Sequence, residues 1–262
     1  MGKIIAIANQ KGGVGKTTTA VNLSAYLGAK GKKVLVCDMD PQANATGGLG
    51  IDKDHLEHYI YDSLVNDIPV SVLIKKSGTK NVDVIPSGPD LSGAEVELVE
   101  VPERESKLKK QLEIVKDAYD FILIDCPPSV GLLSLNALVA ADSLMIALQC
   151  EFYALEGLGR VTNTFQLVKQ HMNPGLTLEG IVLTMYDGRT RLSIEVEEEV
   201  REHFKEKVYK TMIPRNVRLS EAPGFGQTIL QYDPKSKGAL AYKALAKEVL
   251  KQNGEKKNGK RA

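Results

Sequence analysis

Short apolar runs alternate along the chain with longer stretches in which apolar residues recur at helical spacing, the pattern of a sheet joined by crossover helices. The runs predict strands over 4–8, 34–37, 82–85, 121–124, 144–148 and 180–185. Segments such as KKVLVCD, DFILIDC and SLMIAL are apolar on both faces, as strands covered by helices on each side must be. Helical periodicity predicts helices over 17–29, 107–116, 132–140, 155–171, 194–204 and 239–252, with Gly31 and Gly175 near the expected stops of two of them. The stretch 47–77 reads as short helices in an insertion. The predicted class is α/β, a single domain built on a mostly parallel twisted sheet with helices on both faces.

Directly after the first predicted strand stands Lys11-Gly12-Gly13-Val14-Gly15-Lys16-Thr17-Thr18, which runs into the helical pattern TTTAVNLSAYL. Strand, glycine loop and helix in that order make a P-loop. Glycines let the backbone curl until successive N–H groups converge on one anion, and the helix N-terminus adds its positive dipole end. Lys16 can reach the β- and γ-phosphates of a nucleotide, and the Thr17 hydroxyl can take a Mg²⁺ coordination position. Six specified positions arise by chance in a chain of this length with a probability on the order of 10⁻⁴. Gln10 stands where the usual loop has its first glycine, and the loop carries an additional lysine, Lys11, at its entrance. From there a lysine can reach a nucleotide held by a second subunit as readily as its own. Two aspartates leave the carboxyl edge of the sheet, where open α/β folds bind ligands: Asp125 follows FILI, and Asp40 lies just past the second strand in Asp38-Met39-Asp40-Pro41-Gln42. A strand-end aspartate is also a common turn or cap residue.

Composition narrows the class. At 262 residues the chain is near the upper limit for one core, so two full domains are not expected. No run approaches the ~18 apolar residues of a membrane helix, and the start of the chain has no signal-peptide pattern, so a cytoplasmic location is expected. Cys37, Cys126 and Cys150 are too widely spaced for a local metal knuckle and read as buried small hydrophobes of a reducing compartment. The net charge of +1 excludes a strongly basic body, yet residues 252–262 carry four basic residues against one acidic, a net of +3. That tail reads either as a frayed, solvated terminus or as an electrostatic aid to DNA contact. The P-loop domain is thus expected over 1–251 with a basic, disordered tail over 252–262.

The loop resembles the deviant Walker A form, KGGxGK[ST]T, of ParA, MinD and the nitrogenase iron protein. Over nearly the whole chain, through NQKGGVGKTTTAVNL, DMDPQANATGGLG, DFILIDCPPS, QCEFYALEGL and IPRNVRLSEAP, the resemblance is to bacterial ParA-type partition ATPases of the short chromosomal (Soj) kind. It implies an ATP- and Mg²⁺-dependent P-loop ATPase in which two protomers sandwich two ATP molecules, with Lys11 on the partner's phosphates. It further implies a switch role for Asp40, which positions the attacking water. Asp125 becomes the Walker B aspartate on Mg²⁺, with Thr17 and Asp40 beside the metal and Asp38 supporting metal or loop. The catalytic set is Lys11, Lys16, Asp40 and Asp125, the phosphate cradle spans Lys11, Gly12, Gly13, Val14, Gly15, Lys16, Thr17 and Thr18, and Met185, Pro214 and Asn216 would line the adenine pocket.

The implied partners are a second copy of the chain, non-specific duplex DNA on the nucleoid, and a ParB-type centromere-binding protein, with no membrane. Arg189 resembles a family DNA contact, followed by Arg218, Lys235, Lys237 and Lys247; each alone also reads as a solvated surface charge. A MinD-like membrane ATPase is the rival, but the last predicted helix has mostly alanine and leucine at its apolar positions, which suits packing better than lipid insertion. A metabolic P-loop enzyme needs an acceptor pocket, and no constellation of His, Cys or Ser marks one. An iron–sulfur carrier would need more than one cluster cysteine per subunit.

Overall fold

The computed structural model describes residues 2–258. The chain runs β1 (Lys3–Ala8), α1 (Lys16–Ala29), β2 (Val34–Asp38), α2 (Asn44–Gly48), α3 (Ile60–Val65), α4 (Val70–Leu73), β3 (Lys75–Lys76), β4 (Val82–Ile85), α5 (Leu91–Glu97) and α6 (Lys107–Val115). It continues with β5 (Phe121–Asp125), α7 (Leu132–Ala140), β6 (Ser143–Gln149), α8 (Ala154–His171), β7 (Thr177–Thr184), α9 (Arg191–Phe204), α10 (Val217–Glu221), α11 (Ile229–Tyr232) and α12 (Lys237–Asn258). Seven strands form one sheet in the order β3-β4-β2-β5-β1-β6-β7. All pairs are parallel except the short edge strand β3, which runs antiparallel to β4.

Successive side chains of β1 point to opposite faces, as a pleated strand requires, and the core divides accordingly. Ile4 and Ala6 pack with Leu35, Ile122 and Ile124 under α3, α5, α6, α7 and α8. Ile5 and Ile7 pack with Val36, Leu123 and Met145 under α1 and α12. The two-sided burial explains why β2 and β5, fully buried along their lengths, read as unbroken apolar runs.

Every predicted strand and long helix is present. The short helices expected over 47–77 are α2 to α4, with β3 closing that stretch; α5 carried no clear periodic signal and was not predicted. Gly31 adopts the left-handed conformation, φ 82°, that a glycine supplies after a helix, whereas Gly175 is not among the left-handed residues. Helix α12 passes its predicted end at Gln252 and continues to Asn258. The predicted tail therefore enters this helix, and its last residues, 259–262, lie outside the described residues. The three cysteines are buried and unbridged, as expected.

A buried polar cluster ties the last helix to the sheet. Glu179 of β7 has a fully buried side chain and pairs with Lys3 of β1, while Asn253 donates to its Oε1 at 2.9 Å and Gln252 to its backbone oxygen at 2.7 Å. Burial alone would raise the Glu179 pKa, but Lys3 and Asn253 outweigh it and hold the carboxyl below the usual 4.5. Its stabilising contribution is thus present above about pH 4.5 and is lost as pH falls through the lowered value. Lys3→Met strands the carboxylate and is expected to cost about 3–5 kcal/mol at pH 7. Because the unpaired Glu179 would then titrate high, the deficit should shrink toward pH 5. Urea unfolding of both proteins at the two pH values measures it, and a deficit independent of pH would disprove the charge argument.

Candidate functional site

The carboxyl end of the sheet gathers four loops around the end of β1. The glycine loop leaves β1 and enters α1, with Gly13 at φ 74° and Gly15 at φ 90°, angles that side chains other than glycine's tolerate poorly. Asn9 anchors its start by donating to the Ala147 carbonyl at 2.7 Å and accepting from the Lys11 amide at 3.1 Å. The Thr184 hydroxyl at the end of β7 donates to the Val14 carbonyl at 2.7 Å. The loop is therefore braced from β6 and β7 as well as by its own turns.

The two loop lysines differ in placement. Lys16 is buried, and its ammonium donates to the Lys11 carbonyl at 3.0 Å. Burial lowers its pKa, an effect opposed by the nearby Asp125, Cys126 and Asp40. Lys11 is exposed at the loop entrance and pairs with Glu151, just past β6.

The aspartates form a buried acidic group at the ends of β2 and β5, where Asp38 and Asp125 are register neighbours. Neither oxygen of Asp125 has a hydrogen-bond partner. Burial and then Asp38 push its carboxyl well above the usual range, with the nearby Thr17 hydroxyl and Lys16 offsetting only part of the rise. Asp38 is fully buried and accepts from the Asp40 amide at 3.1 Å, the Thr46 amide at 2.8 Å and the Thr46 hydroxyl at 2.7 Å. Burial nonetheless raises its pKa to about 6. Asp40 accepts from the Gln42 amide at 3.0 Å. Among the described residues no three His, Cys, Asp or Glu side chains cluster so as to hold a metal by themselves. Two unpartnered carboxylate oxygens beside a threonine hydroxyl do suit a cation that takes its remaining ligands from phosphate and water.

Met185 lies one residue past β7 with φ 49°. Tyr186 bridges to Pro214, and its amide donates to the Ile213 carbonyl at 3.0 Å, so Met185 and Pro214 come together beside the braced glycine loop. Asn216 immediately precedes α10 without making a side-chain capping bond, and its side-chain oxygen is buried without a partner. A separate cleft of about 350 Å³ opens beside Thr17 and Thr18, bounded by Asn44, Lys53, Pro223 and Gln227. A larger groove of about 1120 Å³, lined by Lys205, Lys207, Lys210 and Lys251, lies at the opposite end of β7 and touches none of these residues.

Arg189, Arg218, Lys235, Lys237 and Lys247 are all exposed. Arg189 forms a two-pronged pair with Asp187 at 2.9 and 2.7 Å, holding that carboxyl down to about 2. Arg218 pairs with Glu221 at 2.8 Å and lies 3.7 Å from Asp233, whose other oxygen accepts from the Lys235 amide at 3.2 Å, so Arg218 and Lys235 share one spot. Lys237 begins α12, and Lys247 stands with Lys243 and Lys251 on its outer face. Sequence reading did not single out Thr46, Thr184 or Glu151, because their importance lies in what the fold sets opposite them.

Residues 2–178 match the family model described as AAA domain. The chain is 59% identical over 249 residues, 95% of this chain and 98% of the relative, to the sporulation initiation inhibitor protein Soj of Bacillus subtilis. It is 53% identical to the chromosome partitioning protein ParA of Myxococcus xanthus, covering 97% of this chain and 89% of that one. Among solved structures it is similar to a cobyrinic acid a,c-diamide synthase from Mycobacterium smegmatis with bound ADP and magnesium, with a TM-score of 0.84 and 37% identity over 95% of this chain and 94% of that one. Glycine loop, paired aspartates, sheet order and end-to-end identity agree: the chain belongs to the Soj/ParA family of chromosome-partitioning P-loop ATPases.

Proposed function

We propose that this chain is an ATP-driven switch that partitions or positions chromosomal DNA. Two copies close face to face on two ATP molecules, the closed pair holds duplex DNA without sequence preference, and slow hydrolysis releases it in response to a ParB-type partner. The observation that carries this reading is the opposite placement of the two loop lysines. Lys16 is buried inside its own loop, where it serves a phosphate bound in cis, while Lys11 stands exposed at the entrance in a pair with Glu151. An exposed ion pair of this kind is worth little and exchanges readily for the phosphate of a second subunit.

In this reading the glycine-loop amides and Lys16 cradle the triphosphate, with Thr18 at the start of α1. Asn216 offers its unpartnered buried oxygen to the exocyclic amino group of adenine, with Met185 and Pro214 forming the wall. Thr17, Asp125 and Asp40 fit Mg²⁺, which when bound neutralises charge that develops on the phosphates. Asp40, at the rim of the acidic group, accepts a hydrogen bond from the attacking water and orients it. Asp125 keeps its two oxygens for the hydrated metal.

DNA would lie against Arg189, Arg218, Lys235, Lys237 and Lys247. Contacts to phosphate carry no sequence information, and a dimer that doubles a modest basic surface binds far better than a monomer. DNA binding then follows the nucleotide state through geometry alone. The membrane alternative is not favoured, because Ala239, Tyr242, Leu245, Ala246 and Val249 of α12 are buried in the core against α1. No helix among the described residues is long and apolar enough to cross a membrane.

The test is a titration of duplex DNA over a salt series with ATP or ADP. The ATP state should bind about tenfold tighter or more, and unrelated duplexes should bind alike. Arg189→Ala should weaken binding on every sequence and reduce the log–log salt slope by about one per subunit, leaving dimerisation intact. Equal DNA binding in both nucleotide states would refute the switch.

A further inference from the structure

We propose that Thr46 is a positioning residue for hydrolysis: its hydroxyl clamps Asp38 to the strand end at Ser87 and so fixes the loop on which Asp40 stands. The proposal rests on the reading of Asp40 as the group that orients the attacking water.

The loop between β2 and α2 has both ends tied to one carboxylate. One oxygen of Asp38 accepts from the Asp40 amide at 3.1 Å, and the other accepts from the amide and hydroxyl of Thr46 at 2.8 and 2.7 Å. The Thr46 hydroxyl in turn accepts from the Ser87 amide at 3.0 Å, just beyond β4. Thr46, Asp38 and Ser87 are all fully buried. A carboxylate in that position is stabilised only by its donors, and the hydroxyl is the one donor that is itself tied elsewhere, to the segment just past β4. Asp38 belongs to β2 by its backbone; the hydroxyl fixes the direction of its carboxylate, and with it the acceptor of the Asp40 amide.

The far end of α2 is held separately. Gly50 has φ 78°, and a side chain there would meet the Gly226 carbonyl at 2.9 Å, so the two backbones touch. Loss of the Thr46 hydroxyl should therefore loosen the Asp40 end of the loop without releasing α2. Nothing in the clamp lies in the glycine loop, so ATP binding should be spared while the chemical step suffers. Positioning errors of this kind act on kcat.

Thr46→Val keeps the side-chain volume and the hydrogen bond that the Thr46 backbone N–H donates to Asp38 but removes the hydroxyl; Thr46→Ser keeps the hydroxyl and removes the methyl. In single-turnover hydrolysis of MgATP, Thr46→Val should be slower by about tenfold or more, with ATP affinity within about twofold of wild type. Thr46→Ser should recover to within about threefold. A wild-type rate for Thr46→Val overturns the proposal, as does Thr46→Ser as slow as Thr46→Val, which would assign the effect to packing. A parallel loss of ATP affinity also overturns it. Asp40→Ala measured alongside separates the two readings. A wild-type rate there overturns the assignment of Asp40 itself, whereas a slow Asp40→Ala beside a fast Thr46→Val overturns the clamp alone.

Discussion

Lys16→Ala is expected to weaken ATP binding by about a hundredfold or more. The Lys16 ammonium is buried, and burial lowers its pKa despite Asp125, Cys126 and Asp40 nearby, so little water competes for it. Hydrogen bonds from a charged donor contribute roughly 1.5–3 kcal/mol each, and a lysine spanning two phosphates makes more than one. Removing it leaves that charge on the triphosphate unanswered in a site that already holds buried carboxylates. Direct titration with a fluorescent ATP analogue measures the loss, and unchanged affinity would contradict the phosphate-cradle assignment. Lys11→Ala is the contrasting case. Its exposed side chain, paired with Glu151, contributes little to binding in cis, so the monomer should keep its ATP affinity. The proposed ATP-dependent dimer should disappear in sedimentation. Normal dimerisation of Lys11→Ala would remove the basis for the sandwich.

Asp40→Ala should bind ATP and dimerise yet hydrolyse about a hundredfold more slowly or worse, the loss typical of a group that orients or deprotonates a nucleophile. Asp40 stands beside the proposed metal position but, unlike Asp125, already spends one oxygen on the Gln42 amide, so the ground state should be largely spared and the proposed closed dimer should accumulate. Sedimentation with ATP alongside a phosphate-release assay reads both effects at once. Asp125→Ala should instead raise the Mg²⁺ concentration needed for half-maximal hydrolysis, since its two buried oxygens have no hydrogen-bond partner in the protein. Hydrolysis by Asp40→Ala at the wild-type rate would move the catalytic role to another carboxylate, with Asp38 the less favoured because its oxygens are already occupied by Thr46 and the Asp40 amide.

Much of the site was legible because it is local in sequence. A glycine loop must follow its strand directly and open its helix directly, so the proposed phosphate cradle, residues 11–18, is one contiguous stretch. Asp125 was legible for a related reason: a run apolar on both faces that ends in an acid marks the edge of a buried parallel sheet. The proposed adenine segment was not legible in this way. Met185 and Pro214 lie 29 positions apart in the chain and meet only because Tyr186 bridges to Pro214. In sequence alone, the PRN tripeptide is indistinguishable from an ordinary turn.

The same division runs through the charged groups. Arg189 and Arg218 were visible as basic residues, and Asp187 and Glu221 are near them in sequence, but Asp233 comes beside Arg218 only when the chain folds back. Glu179 gave no sequence signal, since nothing in a single strand's pattern shows that Lys3 and Asn253 will close around it. The short helix α5 was missed because seven residues with two buried positions do not establish a period against the background of a loop.

The amino-acid sequence by itself determined the layered α/β architecture, the phosphate loop and the edge of the sheet on which the chemistry stands. Those properties rest on periodicity and on backbone conformations that few residues besides glycine adopt, and both act over a few neighbouring positions. The tertiary structure alone decided which lysine is buried and which exposed, which aspartate is satisfied and which has two unpartnered oxygens, and that Thr46 links Asp38 to Ser87. These are consequences of burial, and burial is set by strands and helices that pack from distant parts of the chain. Desolvation then assigns each carboxylate and ammonium its hydrogen-bonding role.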